Sequence, residues 1–382
     1  MRQPPGFEVE GGKVCKLNKS LYGLKQSGKN FHDKLKSLLM KQYVVQSKAD
    51  PCVFARITEK DKLYLGVCLD DILLMASSKE VIEKSMNELK KDLELSYAPL
   101  SYFLGIQLHR TADGGMCMFQ QRYALEVIER FGMSECKSVA TPMDNAIYAD
   151  ETEDNPKREY PYRQIIGALQ YLSICTRPDI SHATNLLARF LDKYQRRHWL
   201  AALRILRYLK GTSDYGIHFG GKNTDLSFQA FCDANFANCP DTRRSTSGEI
   251  FKRYGGAILW SSTRQPITTL SSCESELVSA CNACKSALWL KQLLNELGHK
   301  VTPVLQIDNL ATIHLIKNGA FSRRTKHISL RYHFISEIVE AEDVKITHVS
   351  TQLQAADILT KNLTKTPFQK IRALCGIQSC SK

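Results

Sequence analysis

The sequence lacks an apolar run long enough to cross a membrane. A spanning helix needs about 20 consecutive apolar residues, and the longest candidate, Leu63–Ala76, is interrupted by Asp70 and Asp71. The opening residues Met1–Gly6 contain no apolar segment of the signal-peptide kind. We therefore expect no membrane partner and no secretion, and a location in the cytoplasm or the nucleus.

The sequence also lacks the paired cysteine and histidine spacings of a zinc site. Its 13 cysteines are scattered from Cys15 to Cys380, an odd number that does not suit a disulfide framework. Cys281 and Cys284 have the spacing of one metal-binding pair, but no second Cys or His pair stands at a matching distance. This pattern predicts reduced cysteines, with Cys281 and Cys284 on the buried face of a helix.

Negative charge is in deficit. Lys and Arg together number 52 and Asp and Glu 39, which gives a formal net charge of +13. A basic globular chain commonly binds phosphates, so nucleic acid is the first expected partner, although such charge can also serve solubility alone. The length of 382 residues allows two or three domains, and 43% hydrophobic residues suffice for a sizeable core.

Two β-hairpins separated by a helix are predicted in the first part of the chain. The apolar runs before and after Asp70-Asp71 indicate a tight hairpin at these two residues. The order of hairpin, helix and hairpin predicts an α+β sheet. Its predicted segments are Leu63–Leu69, Ile72–Ala76, the helix Val81–Leu95, Tyr102–His109 and Met116–Gln120.

The rest of the chain changes character twice. Met143–Tyr160 is acidic and without periodicity, which indicates a linker or exposed loop, whereas Tyr162–Leu209 has helical spacing. From about Leu226, three predicted strands precede a long helix, Ser272–Leu297, after which strands and helices alternate. That order predicts a mixed α/β domain.

Asp70 and Asp71 are a candidate metal-binding pair. Adjacent carboxylates between strongly apolar strands are costly unless they hold a cation, although strand alternation sends neighbours to opposite faces. A polar turn and a metal-binding pair are therefore both open readings of these residues. A polymerase uses such a pair because Mg²⁺ must bridge the triphosphate and the primer hydroxyl.

Four carboxylates in the last part of the chain stand at the ends of predicted elements. They are Asp233 at the end of a strand, Glu276 in the first turns of the long helix, Asp308 at the end of a strand, and Asp357 near a helix start. If the fold brings them together, they form the oxygen ligands that two Mg²⁺ ions require. The alternative is four separate, solvated carboxylates.

Several short motifs follow one another in order. They are Leu21-Tyr-Gly-Leu-Lys-Gln-Ser27, Asp50-Pro-Cys-Val-Phe54, Val67-Cys-Leu-Asp-Asp-Ile-Leu73, Ser101-Tyr-Phe-Leu-Gly-Ile106, Thr176-Arg-Pro-Asp-Ile180 and Arg204-Ile-Leu-Arg-Tyr-Leu-Lys-Gly211. The first four resemble the palm of the reverse transcriptase of copia-type long-terminal-repeat retrotransposons, and the last two resemble its thumb and connection region.

The resemblance implies roles for residues of the first part. Asp70 and Asp71 match the two carboxylates of a signature that usually reads Tyr-Val-Asp-Asp, with Cys and Leu here in place of Tyr and Val. Gly23, Lys25 and Gln26 match the segment that lies along template and incoming nucleotide. The family's third polymerase carboxylate lies upstream of the segment that the first residues resemble, so we expect this chain to lack that Asp and the fingers.

Motifs in the last part resemble the copia-type RNase H domain. They are Phe231-Cys-Asp-Ala-Asn-Phe236, Ser271-Ser-Cys-Glu-Ser-Glu-Leu277, Ile307-Asp-Asn309 and Ala356-Asp-Ile-Leu-Thr-Lys361. The resemblance implies that Asp233, Glu276, Asp308 and Asp357 bind two Mg²⁺ ions. Glu276 is preferred as the ligand because it precedes apolar residues, and Glu274 is the alternative. Basic residues that could contact phosphate, or could form a solvated face, are Arg243, Arg244, Arg324 and Lys326.

The predicted organisation is therefore an α+β reverse transcriptase palm and thumb followed by a mixed α/β RNase H-like domain. Residues 1–142 are the partial palm, 143–225 the thumb and connection, and 226–382 the RNase H domain. The expected partners are RNA–DNA hybrid, template-primer, and the rest of a Pol polyprotein with its fingers, integrase and protease, in a cytoplasmic virus-like particle or the nucleus. The alternative is a truncated, polymerase-inactive remnant that only binds nucleic acid.

Overall fold

The computed structural model describes residues 1–144, 160–221, 224–318 and 329–380. It divides into two compact units. The first comprises Met1–Ala98 with Gln292–Lys300, and the second comprises Pro99–Lys291 with Val301–Lys382. The predicted boundaries at 142 and 225 do not coincide with this division, so the three functional domains stay a prediction.

The elements of the first unit follow from short amphipathic segments. In chain order they are α1 (Ser27–Lys41), β1 (Val45–Gln46), β2 (Val53–Ile57), β3 (Lys62–Cys68), β4 (Asp71–Ala76) and α2 (Lys79–Lys90). The strands form an antiparallel sheet in the order β1-β2-β3-β4. Leu63 and Leu65 alternate with less buried residues along β3 and pack in one core with Leu35 of α1 and Leu89 of α2.

The second unit contains two sheets and a helical layer. Its elements are β5 (Tyr102–Phe103), β6 (Ile106–Arg110), β7 (Met116–Phe119), α3 (Gln121–Arg130), α4 (Tyr162–Cys175), α5 (Ser181–Ala188), α6 (Arg196–Lys210), β8 (Tyr215–Phe219), β9 (Gln229–Asn235), β10 (Thr246–Arg253), β11 (Gly256–Arg264), α7 (Ser272–Glu296), β12 (Val304–Ile307), α8 (Leu310–Asn318), α9 (Ser329–Glu340), β13 (Lys345–His348), α10 (Lys365–Leu374) and β14 (Ile377–Ser379). The last residues of α7 group with the first unit.

One sheet of the second unit is mixed. Its order is β11-β10-β9-β12-β13, with β9, β10 and β11 antiparallel and β12 parallel to both β9 and β13. The sequence prediction of a mixed α/β domain after about Leu226 is confirmed. Strand β9 is central and almost entirely buried, and the buried face of α7 includes Leu277, Val278 and Ala280.

The other sheet corrects a prediction. Its order is β14-β8-β7-β6-β5, and all its pairs are antiparallel. The two hairpins predicted to share one sheet therefore belong to different sheets and different units. Strand β7 of the second hairpin instead pairs with β8, and β8 in turn pairs with β14. Both β8 and β14 come roughly a hundred or more residues later in the chain. Such long-range pairing leaves no local signal in the sequence.

A buried ion pair anchors the helical layer of the second unit. Arg177 donates to both carboxylate oxygens of Asp179, at 2.9 and 2.8 Å, and to the Thr212 carbonyl and hydroxyl. The Tyr208 hydroxyl also donates to Asp179, at 2.5 Å. These five hydrogen bonds compensate the burial of the two charges locally. Along the described stretches, every helix is too short or too polar to pass through a bilayer.

Candidate metal centre

Three of the predicted carboxylates converge in the second unit. One oxygen of each of Asp233, Glu276 and Asp308 lies within 4.8 Å of the others. Asp233 lies on β9, and Asp308 directly follows β12, which runs parallel to β9 in the neighbouring position. The carboxyl ends of these strands therefore meet, and the first turns of α7 add Glu276.

The centre is buried and electrostatically unfavourable without a cation. Asp233 is 1% exposed and Glu276 is 5% exposed. Burial, together with the charges of Asp233 and Asp308, raises the pKa of Glu276 to about 9. Its Oε2 atom is buried with no hydrogen-bond partner among the described residues. Carboxylate oxygens at this spacing, one of them unsatisfied, fit a hard divalent cation such as Mg²⁺.

Asp357 lies beside this group but contacts it through a lysine. It is part of the 3-10 turn Ala355–Leu359. The Lys361 ammonium lies 2.7 Å from Asp357 Oδ1 and 3.1 Å from Asp233 Oδ1, and so links the two carboxylates. Burial and the charge of Asp233 raise the pKa of Asp357 to about 7, although Lys361 opposes that shift.

A glycine on β10 allows the Asp357 segment to approach the sheet. A Cβ atom at Gly248 would lie 2.7 Å from Thr360 Cγ2 and 2.9 Å from Leu359 Cβ, so a larger residue would push the segment away. The Ser262 hydroxyl donates to the Leu359 carbonyl at 2.6 Å, and the Thr360 hydroxyl donates to Asp233. These contacts fix Asp357 near Asp233, although the two are far apart in sequence.

Glu274 has a different environment from Glu276. Its Oε2 accepts a hydrogen bond from the Leu270 backbone amide at 2.7 Å, and Glu274 lies in the first turn of α7. A carboxylate there satisfies an amide at the start of the helix. The structure therefore brings Glu276, and not Glu274, together with Asp233 and Asp308.

The Asp70-Asp71 pair lies in the first unit at an exposed hairpin. Cys68 pairs with Asp71, so Leu69 and Asp70 form the turn, and Leu69 adopts a positive φ of 53°. The Tyr22 hydroxyl donates to Asp70, and this hydrogen bond, together with the charge of Asp70, raises the pKa of Tyr22. Within the described residues, no third metal-ligating side chain joins these two carboxylates.

The predicted nucleic-acid contacts lie on exposed segments where they are described. Gly23, Lys25 and Gln26 are exposed and directly precede α1. Arg243 is exposed and Arg244 half-buried in the connection between β9 and β10. The remaining two predicted contacts, Arg324 and Lys326, lie outside the described residues.

The sequence and the fold have counterparts among known proteins. The family described as reverse transcriptase (RNA-dependent DNA polymerase) matches residues 1–145. The retrovirus-related Pol polyprotein from transposon TNT 1-94 of Nicotiana tabacum is 37% identical over 392 residues, which cover 99% of this chain and 29% of that relative. The chain belongs to the retrovirus-related Pol polyproteins of transposons. This Pol segment thus spans less than a third of the length of that relative.

Two solved structures show a limited similarity to parts of the chain. RNase H1 LC11, isolated from compost, is 13% identical and covers 36% of the Pol segment and 94% of its own chain, with a TM-score of 0.30. The foamy viral protease-reverse transcriptase in complex with RNA/DNA hybrid is 14% identical, and the match covers 87% of the Pol segment and 39% of the viral chain, with a TM-score of 0.48. Independently of these structures, the reverse transcriptase family match over residues 1–145 and the mixed β11-β10-β9-β12-β13 sheet agree with the predicted order of an α+β part followed by a mixed α/β part.

Sequence reasoning missed two residues of the Pol segment that contact its buried carboxylates. Lys361 and Thr360 both contact Asp233, and the motif that contains Asp357 ends with these two residues. A lysine four residues after an aspartate is common in any sequence. The role of this spacing is visible only in the structure, where the motif approaches β9 and Lys361 contacts both Asp357 and Asp233.

Proposed function

We propose that the second unit hydrolyses the RNA strand of RNA–DNA hybrids with Mg²⁺ held by Asp233, Glu276, Asp308 and Asp357. The convergence of Asp233, Glu276 and Asp308 within 4.8 Å, with Glu276 Oε2 unsatisfied, is the observation that supports this proposal most strongly. One ion would be held by these three carboxylates, and a second by Asp233 and Asp357. Bound Mg²⁺ supplies activation of water and stabilisation of the leaving 3′ oxygen.

The protein's own residues prepare this centre. The Thr360 hydroxyl and the Lys361 ammonium both bind the Asp233 carboxylate, which fixes its orientation on β9. Arg243 and Arg244 lie in the connection after the same strand, where they would contact hybrid phosphates. A hybrid is recognised by its shape and 2′-hydroxyls, so we expect cleavage with little dependence on base sequence.

The first unit would contribute to RNA-directed DNA synthesis in the parent polyprotein. Asp70 and Asp71 would hold Mg²⁺ there, and Gly23, Lys25 and Gln26 would contact the template-primer. Their exposure on the hairpin and before α1 leaves them accessible to nucleic acid and to other parts of a Pol polyprotein, such as fingers, integrase or protease. A location in cytoplasmic virus-like particles or the nucleus stays a prediction.

The test is cleavage of a hybrid whose RNA strand is end-labelled, by the full chain with Mg²⁺ or with EDTA. Single-stranded RNA and duplex DNA serve as substrate controls. We expect cleavage of hybrid RNA only, dependent on Mg²⁺ and abolished by Asp233→Asn. The exposed control Glu337→Gln on α9 should cleave normally. Hybrid binding without any cleavage would instead support a remnant that only binds nucleic acid.

A further inference from the structure

The Lys361 ammonium contacts the two carboxylates that would hold the second metal ion of the proposed hydrolysis. We propose that its ammonium occupies the Asp233–Asp357 half of the centre as an exchangeable cation. The protein without hybrid then binds one divalent ion at the centre, and a second ion enters only when Lys361 leaves. This inference rests on the proposed function and concerns the order in which its metal ions bind.

The position of the ammonium excludes an ion on the same two oxygens. Lys361 Nζ is 2.7 Å from Asp357 Oδ1 and 3.1 Å from Asp233 Oδ1. Mg²⁺ would have to lie about 2.0–2.1 Å from each of these oxygens. The two cations therefore compete for one place, and the ion can bind both carboxylates only after the lysine has moved.

The other half of the centre is open to an ion. Glu276 Oε2 is buried with no hydrogen-bond partner among the described residues. Asp308 Oδ2 accepts a neutral hydrogen bond from the Thr351 hydroxyl at 3.0 Å. Lys361 contacts Asp233 Oδ1, whereas Asp233 Oδ2 accepts from the neutral Thr360 hydroxyl. A first ion on Glu276, Asp308 and Asp233 Oδ2 would thus compete with neutral hydroxyl groups and not with the ammonium. The two halves of the centre should therefore bind a divalent ion with unequal affinities.

Lys361 is able to leave its place. Its side chain is 32% exposed, whereas those of Asp233 and Asp357 are 1% and 7% exposed. The lysine stem is flexible and its ammonium is a strongly hydrated point charge, so it can turn towards solvent or a substrate phosphate. A bound hybrid would supply that phosphate, and we therefore expect hybrid to promote binding of the second ion.

The experiment counts Mn²⁺ ions bound to the full chain by isothermal titration calorimetry. Every protein carries Asp70→Asn and Asp71→Asn, so that the exposed hairpin contributes no ion. We expect one ion for the parent, two for Lys361→Met and one for Lys361→Arg, which keeps the charge. The second ion of Lys361→Met should bind at least about tenfold more tightly than any second ion of the parent, because in the parent the ion must first displace the ammonium from two buried carboxylates. The exposed control Lys365→Met should behave as the parent.

If a variant fails to fold, the role of Lys361 can still be tested by counting the ions bound to the parent with and without hybrid. With a non-cleavable hybrid containing 2′-O-methyl RNA, the parent should bind two ions. Two equally tight ions in the hybrid-free parent, or an unchanged count in a folded Lys361→Met, would overturn the role of Lys361. Absence of any bound Mn²⁺ would instead contradict the metal centre itself, so the two failures are distinguishable.

Discussion

Replacing Glu276 by glutamine should stabilise the metal-free protein while abolishing its activity. Burial and the neighbouring Asp233 and Asp308 charges raise the pKa of Glu276 to about 9 from an ordinary value of 4.5. The folded state therefore keeps the proton up to about pH 9, whereas the unfolded state releases it near pH 4.5. The free energy of unfolding falls as pH rises through this window.

The size of the effect follows from the same pKa values. One pKa unit corresponds to about 1.4 kcal/mol, and pH 7 lies about 2.5 units above the ordinary value. Glutamine carries no proton to lose, so Glu276→Gln should be more stable than the parent by about 3 kcal/mol at pH 7 and by less than about 1 kcal/mol at pH 5. Added Mg²⁺ should stabilise the parent more than the variant.

The assay is urea unfolding in EDTA, followed by tryptophan fluorescence. All three tryptophans, Trp199, Trp260 and Trp289, lie in the second unit, so the signal reports the unit that contains the centre. Glu274→Gln is the matched control on the same helix. It weakens the bond from the Leu270 amide and should destabilise by about 1 kcal/mol. A Glu276→Gln variant less stable than the parent at pH 7 would refute the reasoning.

Three further predictions concern the second unit. Gly248→Ala should cost about 1–3 kcal/mol and reduce hybrid cleavage, because the new Cβ lies 2.7 Å from Thr360 Cγ2 and displaces the Asp357 segment; unfolding and cleavage assays check both effects. Arg177→Met removes the cation that is paired with the buried Asp179 carboxylate and should lower the free energy of unfolding by about 3–5 kcal/mol, measured by urea unfolding. Burial lowers the pKa of His182 to about 4 from an ordinary value of 6.5. Its neutral form should therefore contribute about 3 kcal/mol to the free energy of unfolding, and this contribution should be lost as the pH falls from 6.5 to 4. Urea unfolding over this pH range should show a smaller decline in stability for His182→Gln than for the parent.

Local patterns predicted the elements around the centre well. The expected helix Ser272–Leu297 is observed as Ser272–Glu296, and the strand predicted to end at Asp308 ends one residue earlier. A carboxylate that directly follows an apolar strand can be predicted from the sequence, because the strand and the candidate metal ligand are neighbours in the chain. The expected Asp70-Asp71 turn is shifted by one residue, since Leu69 accepts the positive φ and Asp71 enters β4.

Contacts between distant residues could not be predicted in this way. Lys361 and Asp233 are 128 residues apart, and their contact depends on the close packing that Gly248 permits. The pairing of β8 with β14 is similarly remote, and neither short strand shows a strong alternating pattern. The division of the two hairpins between two units follows from these remote pairings, which is why the sequence alone suggested a single sheet.

The most direct test of the central claim compares hybrid cleavage and hybrid affinity for the parent and Asp308→Asn in Mg²⁺. Asparagine keeps the size of the side chain but removes the charge that a hard cation requires. Turnover should fall by at least about 100-fold while hybrid affinity stays the same or increases, and the exposed control Glu337→Gln should cleave normally. Full cleavage by Asp308→Asn would contradict the assignment of the metal centre.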